Sequence, residues 1–215
     1  MTITIAKYDL DSPELRELYD VTFFDEEIET LVTNRASMVT AWIGNTESIH
    51  RRRLHKLVVG LDIEWCPNTR PGSSNPVATL QLCVGRSCLI IQLLYARKIP
   101  KSLIDFLADD DYTFVGVGIE GDVEKLEDDY GLEVSNVVDL RVLARARFGK
   151  VVPRNVGLRE LAAQVLGTEF AKPKKITMSR WDKAWLSPAQ VTYACVDAFV
   201  SFEIGRILKA WKFED

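Results

Sequence analysis

The chain has 215 residues, a net charge of −4 and a sequence pI near 5.4, and 47% of its residues are hydrophobic. This hydrophobic share is sufficient for one substantial core, so we expect a single globular domain over residues 1–215. The acidic balance argues against a protein that coats nucleic acid or an anionic membrane with its whole surface. Any contact with nucleic acid is therefore expected to be local.

The amino terminus and the cysteines point to a reducing compartment. The stretch MTITIAKYDLDSPE lacks a basic start followed by an apolar run, and no apolar run approaches the ~18 residues that cross a bilayer. We therefore expect no membrane contact and a protein of the cytosol or nucleus. The four cysteines form no C-x-x-C pair, so we predict free thiols in the core and no structural zinc site. Cys83 and Cys88 are expected to face each other across a hairpin.

The first half of the chain is predicted to be rich in strands. Residues 3–9 and 17–33 alternate apolar and polar side chains around DEE, which predicts strands and a hairpin. ASMVTAWIG then predicts a short helix. Three antiparallel strands are predicted next, at 56–65, in VATLQLCVG and in SCLIIQLL, with a turn between the last two.

After residue 100, predicted helices alternate with predicted strands. Strands are predicted in YTFVGV and VVDL, and helices in PKSLIDFLAD, DVEKLEDDYG, GLRELAAQVLG and at residues 140–148 and 188–210. Ser187 and Gln190 form a capping box at the start of the last helix. Strands that alternate with helices require a partly parallel sheet covered on both faces, so the predicted class is α/β with a mixed sheet.

Carboxylates recur at places where the chain should be buried. In VVGLDIEWCPN, Asp62 and Glu64 share one face at the end of a strand. Asp122 begins a helix after a second strand, and Asp197 follows Tyr193 by one turn on the apolar last helix. We expect these four carboxylates to converge. No comparable set of Lys or Arg is built into these segments, so two Mg²⁺ or Mn²⁺ ions are expected to neutralise them.

A glycine pattern in YTFVGVGIEGDVEKL offers a different hypothesis. Gly116, Gly118 and Gly121 have G-x-G-x-x-G spacing, with Asp139 about 20 residues on, as in dinucleotide-binding enzymes. A dinucleotide-dependent oxidoreductase is thus one alternative. Against it, Asp122 lies where a pyrophosphate needs the positive end of the helix. Considered alone, the segment equally permits a tight glycine turn with Asp122 as a helix cap.

The segments LDIEW, FVGVGIEGDVEKL and YACVD, in this order, resemble the three motifs of the DEDDy 3'-5' exonucleases, the superfamily of ribonuclease D and polymerase proofreading domains. They are most similar to the Werner-syndrome-type exonuclease domain. The resemblance covers residues 57–208 and implies a ribonuclease H-like, DnaQ-like exonuclease core, a mixed sheet flanked by helices. Residues 1–50 form a strand-rich extension outside this pattern.

The resemblance also implies a role for each site residue. Asp62 would bridge two metal ions, and Glu64 and Asp197 would hold the ion on the nucleophile side. Asp122 would support the other ion through water, and Tyr193 would orient the attacking water. With an ordinary pKa near ~10, this tyrosine is a poor base at neutral pH. The implied reaction is a two-metal hydrolysis of a single strand from its 3' end that releases nucleoside 5'-monophosphates.

Substrate and assembly follow from a narrower resemblance. In size the chain is similar to the small plant RISC-interacting clearing exoribonucleases, which implies a homo-oligomer such as a hexamer, formed through the first 35 residues, that acts on single-stranded RNA linked to Argonaute complexes. Alternatives are a Werner-type DNA exonuclease and a nucleic-acid-binding or scaffold protein of the same fold with weak activity. Basic segments at 50–56, 145–154 and 172–175 are either solvated surface or a track for a strand's phosphates.

Overall fold

The computed structural model describes residues 3–8, 17–68, 72 and 74–213. Within these residues it has eight strands: Ile3–Lys7 (β1), Glu17–Phe23 (β2), Glu26–Thr33 (β3), Leu57–Trp65 (β4), Val77–Val84 (β5), Ser87–Ile91 (β6), Tyr112–Gly116 (β7) and Val137–Asp139 (β8). The α-helices are Ala36–His50 (α1), Lys101–Leu107 (α2), Ile119–Tyr130 (α3), Leu140–Phe148 (α4), Leu158–Val165 (α5), Lys174–Thr177 (α6) and Pro188–Ile207 (α7). Short 3-10 turns occupy Leu54–Lys56, Leu93–Tyr95, Gly149–Val151 and Ala210–Lys212.

The strands form one mixed sheet in the order β1-β2-β3-β6-β5-β4-β7-β8. The pairs β3–β6, β4–β7 and β7–β8 are parallel, and the other neighbouring pairs are antiparallel. The predicted α/β class with a mixed sheet is therefore confirmed. Because β4, β7 and β8 run in the same direction, their carboxyl ends meet at one edge of the sheet, where ligands bind in open α/β sheets.

The amino-terminal strands extend this same sheet. Residues 29–33 of β3 pair with residues 87–91 of β6, and the predicted β2–β3 hairpin is present. The predicted short helix is wrong in length, because α1 has 15 residues and makes the second part of the 1–50 extension helical. Residue 9, predicted as the end of the first strand, lies outside the described residues.

The long helix α7 begins with the predicted capping box at Ser187 and Gln190 and is buried along most of its length. It rests directly on β4, where a Cβ on Gly60 would lie 2.0 Å from the Ala198 carbonyl oxygen. Only glycine permits this close contact between the helix and the strand. Asp197 precedes Ala198 on the helix, and Asp62 lies two residues beyond Gly60 on the same strand face. This contact brings the first and third motifs together.

The glycine turn between β7 and α3 is also present. Gly118 has φ of +76°, in the left-handed region, and is the N-cap residue of α3. The alternative that Asp122 caps this helix is wrong, because Asp122 lies inside the first turn and Gly118 occupies the cap position. The turn therefore places Asp122 on the helix, at the carboxyl edge of the sheet.

The cysteines are free thiols, and Cys83 and Cys88 lie directly opposite each other on β5 and β6, as predicted. Cys66 departs from the expected core position because it is partly exposed. Among the described helices, none combines the length and the apolarity that a bilayer crossing requires.

Candidate active site

Three of the four predicted carboxylates meet at the carboxyl edge of the sheet. One ligand oxygen each from Asp62, Glu64 and Asp197 lie within 4.8 Å of one another. Glu64 and Asp197 are buried, and the buried Oδ2 atom of Asp62 has no hydrogen-bond partner among the described residues. Asp122 lies outside this group of three, but its negative charge contributes to the raised pKa values of Asp62 and Glu64. It therefore flanks the cluster.

Burial and mutual repulsion raise the pKa values of these acids. Burial, followed by the charge of Asp197, raises the pKa of Glu64 to about 8. Burial, followed by the charges of Asp139 and Glu120, raises the pKa of Asp122 to about 7. The pKa of Asp62 is raised well above its ordinary value, first by burial and then by Asp197. In the ionised state the cluster therefore requires positive charge.

One such charge comes from Lys172, in the loop before α6. Its Nζ atom lies 2.5 Å from Oδ2 of Asp197 and 5.2 Å from the ring centroid of Tyr193. Its charge opposes the rise in pKa of all four carboxylates. Lys172 lies outside the carboxylate-bearing segments, which contain no comparable set of Lys or Arg, and it reaches the cluster from the loop. The sequence signal was only that a basic segment, 172–175, precedes the last helix.

Tyr193 is held at the side of the cluster by residues that the motifs did not single out. The Thr177 hydroxyl donates a hydrogen bond to the Tyr193 oxygen over 3.2 Å, and the rings of Trp181 and Tyr193 have centroids 6.0 Å apart. Burial, followed by the charge of Asp197, raises the pKa of Tyr193 above its ordinary value. The phenol therefore keeps its proton at neutral pH.

Asp139 has a structural task in the glycine turn. Its carboxylate accepts hydrogen bonds from the backbone N–H of Gly118 over 2.9 Å and of Arg141 over 2.7 Å. The Arg141 guanidinium forms an ion pair with the same carboxylate at 2.6 Å. These contacts occupy the carboxylate oxygens that would bind a ribose hydroxyl in a dinucleotide-binding enzyme. The spacing of Asp139 from the glycines is therefore explained by its role in holding the turn at Gly118.

The donor set of the cluster fits a hard divalent cation. Among the described residues, the acidic group contains carboxylate oxygens and neither imidazole nor thiol ligands. Oxygen-only sites favour Mg²⁺ or Mn²⁺ over Zn²⁺. The buried Oδ2 atom of Asp62 accepts no hydrogen bond from the described residues, so its lone pairs are available to a cation. Asp62, Glu64 and Asp197 would hold such an ion.

Residues 37–210 match the model of the 3'-5' exonuclease family. The chain belongs to this family, within the DEDDy exonuclease superfamily that the three motifs resemble. It is 37% identical over 152 residues to a 3'-5' exonuclease of Arabidopsis thaliana, and the aligned region covers 70% of this chain and 52% of that protein. It is 33% identical over 164 residues to the mouse bifunctional 3'-5' exonuclease/ATP-dependent helicase WRN, over 76% of this chain and 12% of that protein.

The structural comparison agrees on the fold. Escherichia coli RNase D, an exoribonuclease, superposes with a TM-score of 0.67 at 17% identity, over 84% of this chain and 44% of that chain. This similarity confirms the ribonuclease H-like fold. The dinucleotide hypothesis is wrong, since the glycine pattern lies inside the exonuclease match. The chain spans about half the length of the Arabidopsis relative.

Proposed function

We propose that this protein is a metal-dependent 3'-5' exonuclease that hydrolyses single-stranded nucleic acid, with RNA favoured, to nucleoside 5'-monophosphates. The observation that carries the proposal is the group of three carboxylate oxygens within 4.8 Å at the carboxyl edge of the sheet. In this family such a group is best explained as a binding site for divalent metal. Without bound metal ions, the negative charge of the cluster would repel the phosphates of a nucleic-acid strand.

In the proposed mechanism each side chain has one task. Asp62 would contact two ions, Glu64 and Asp197 would hold one of them, and Asp122 would support the other through water. Two bound ions would lower the pKa of a water molecule and stabilise the charge on the attacking and leaving oxygens. Because its pKa is raised, Tyr193 would act as a hydrogen-bond donor that orients the water, and not as the base.

A time course tests the direction and the chemistry of the reaction. Single strands of RNA and DNA, labelled at the 5' end, are incubated with Mg²⁺ or Mn²⁺. Progressive shortening of the labelled strand with release of nucleoside 5'-monophosphates is expected, and faster for RNA. Asp62→Asn should abolish it, and the control Asp105→Asn, on the exposed face of α2, should not. Release of the labelled 5' nucleotide first, or of 3'-monophosphates, would overturn the proposal.

Adding labelled duplex DNA with a recessed 3' end to the same time course separates the candidate substrates. The RNA preference rests on the similarity in size to the small plant exoribonucleases. Preference for recessed 3' ends of duplex DNA would favour the Werner-type alternative. Strand binding without shortening in either metal would favour the nucleic-acid-binding or scaffold protein.

We also propose that the protein assembles into a homo-oligomer, such as a hexamer, and acts in the cytosol on RNA linked to Argonaute complexes. Supporting the assembly, the outer edge of β1 pairs with no other strand in the described part of the chain, and its residues are largely exposed. A second copy pairing along this edge would satisfy the open backbone groups. Light scattering behind a sizing column should give a mass several times 24.3 kDa. A monomer would contradict the assembly without affecting the chemistry.

A further inference from the structure

The segment formed by α4 and the turn after it is strongly basic. Residues 141–154, here named the basic arm, contain four Arg, one Lys and neither Asp nor Glu, in a chain with a net charge of −4. Such a local excess of one sign in an acidic protein creates a surface that attracts anions. Phe148 and Val151 of the arm are also exposed, by 48% and 76%. The basic arm therefore offers both charge and apolar surface to solvent.

The basic arm forms one wall of an open cleft of about 420 Å³. Arg141, Arg145 and Arg154 line it together with Glu120 and Asp139. The charge of Asp139 is already paired with Arg141. The Arg145 guanidinium is fixed by a 2.6 Å hydrogen bond to the Val152 carbonyl oxygen.

Arg154 adds to the cleft a positive charge that is unpaired within the described part of the chain. It is exposed and forms no hydrogen bond or ion pair with any residue that the structure describes. A fixed guanidinium beside a free one is an arrangement that can adapt to a phosphate, which arginine binds through two parallel N–H groups.

The cleft lies beside the carboxylate cluster. Its wall residue Asp139 ends β8, and the charges of Asp139 and Glu120 both raise the pKa of Asp122. Because β8 is two strands from β4 in the sheet, the cleft is about 10 Å from the cluster. A nucleic-acid strand with its 3' end at the cluster can therefore reach the cleft with a phosphate that is not cleaved.

The basic segment at residues 50–56 lies far from the cleft and the carboxylate cluster. Residues 50–56 precede β4, so they are at the amino end of this strand, and Leu57, where the strand begins, is about 17 Å from Asp62. Because residues 50–56 lie at the opposite edge of the sheet from the cluster, we assign them to solvated surface, the other alternative for the basic segments. This segment supplies a matched control.

We propose that the basic arm, through its cleft and its exposed side chains, binds the phosphodiester backbone of the substrate upstream of the scissile bond, with the exposed ring of Phe148 available to a base. This inference rests on the proposed function. Backbone contact through Arg suits a nuclease that must accept every base, since phosphate contacts position a strand without reading its sequence. Aromatic stacking is likewise tolerant of sequence.

The test compares a long substrate with a minimal one. The 4-nitrophenyl esters of uridine and thymidine 5'-monophosphate end at the scissile phosphate, whereas an oligonucleotide also has upstream phosphates. For Lys150→Gln/Arg154→Gln, the ratio of kcat/KM for the oligonucleotide to that for the ester should fall roughly tenfold, because only the oligonucleotide has phosphates that these side chains can bind. Arg51→Gln/Arg52→Gln, the same change of charge at the opposite edge, should preserve the ratio.

Binding without metal provides a second measurement. In EDTA, the binding constant for the oligonucleotide is measured at several salt concentrations. For Lys150→Gln/Arg154→Gln, the slope of its logarithm against the logarithm of the salt concentration should become shallower by about 0.7 for each phosphate that is no longer neutralised. An unchanged kcat/KM ratio together with an unchanged salt dependence would overturn the inference, and would leave the cleft to an acidic protein or another anion. Failure of the wild-type protein to hydrolyse either substrate would instead overturn the proposed function.

Discussion

Lys172 and Asp197 form an ion pair within the carboxylate cluster, with 2.5 Å between Nζ and Oδ2. The lysine comes from a loop and the aspartate from the middle of the most buried helix, so the pair joins two parts of the chain that local sequence does not relate. A divalent ion held by Asp197 would compete with this ammonium for the same oxygen. Metal binding at Asp197 would therefore depend on the position of the loop before α6, which carries Lys172.

The first prediction concerns this pair. Lys172→Met should lower the stability of the metal-free protein by about 1–3 kcal/mol, because a buried carboxylate is left without its partner. It should also tighten Mn²⁺ binding, on the order of tenfold, because the competing cation is gone. Thermal melts in EDTA and calorimetric titration with Mn²⁺ measure the two effects. Lys174→Met, at an exposed position on α6, is the control; equal effects in both variants would contradict the assignment.

The second prediction concerns pH. The folded-state pKa values of about 8 for Glu64 and about 7 for Asp122 exceed the ordinary values of 4.5 and 3.8. Between these limits the folded protein binds more protons than the unfolded chain, so its stability falls as pH rises. In EDTA, the melting temperature should therefore decrease from about pH 4.5 to about pH 8. Glu64→Gln should flatten the decrease; an identical pH profile would exclude Glu64 as its source.

The third prediction separates catalysis from folding. Asp62→Asn and Asp197→Asn should each reduce hydrolysis at least roughly a thousandfold, because each removes a metal ligand. Their stabilities in EDTA should differ. Asp62→Asn relieves repulsion and should raise the melting temperature, while Asp197→Asn leaves Lys172 without its ion pair and should not. Near-normal turnover of either variant with Mg²⁺ would refute the proposed mechanism.

The fourth prediction tests the location of the metal. Millimolar Mn²⁺ should raise the melting temperature, because a ligand that binds only the folded state stabilises it by RT ln(1 + [L]/Kd). The increase should vanish in the Glu64→Gln/Asp122→Asn variant and persist in Asp105→Asn. A full increase in the double variant would place the metal at another site.

The fifth prediction addresses the contact between α7 and β4. Gly60→Ala should destabilise the fold by about 3 kcal/mol or more, because the added Cβ meets backbone atoms of the helix, which cannot turn aside. Gly44→Ala is the matched control. Gly44 lies inside α1, and a Cβ added there has no neighbouring atom within 4 Å, so this change should stabilise the folded protein by about 0.5–1 kcal/mol. Urea unfolding compares the two. Similar stability of Gly60→Ala and wild type would show that the helix can move away.

Local patterns in the sequence were sufficient to predict the elements that those patterns encode. The strand of Asp62 and Glu64, the turn at Gly118 and the capping box at Ser187 were all predictable, because alternation, glycine and capping residues act over a few neighbouring residues. The order of the three motifs also identified the family and its carboxylates. For these acids, a functional site was predictable because charge inside apolar segments needs an explanation outside the local structure.

Features that depend on contacts between distant segments became visible only in the folded chain. Lys172 is one of several lysines in a basic segment, and only the fold places it against Asp197. Asp139 has the spacing of a ribose ligand, yet its position opposite Gly118 makes it a support for the turn. The basic segments at 50–56 and 145–154 are similar in composition, and the direction of β4 puts them at opposite edges of the sheet. Charge and spacing are local properties of a chain, whereas the partner of a charge is set by packing, and packing joins residues far apart in sequence.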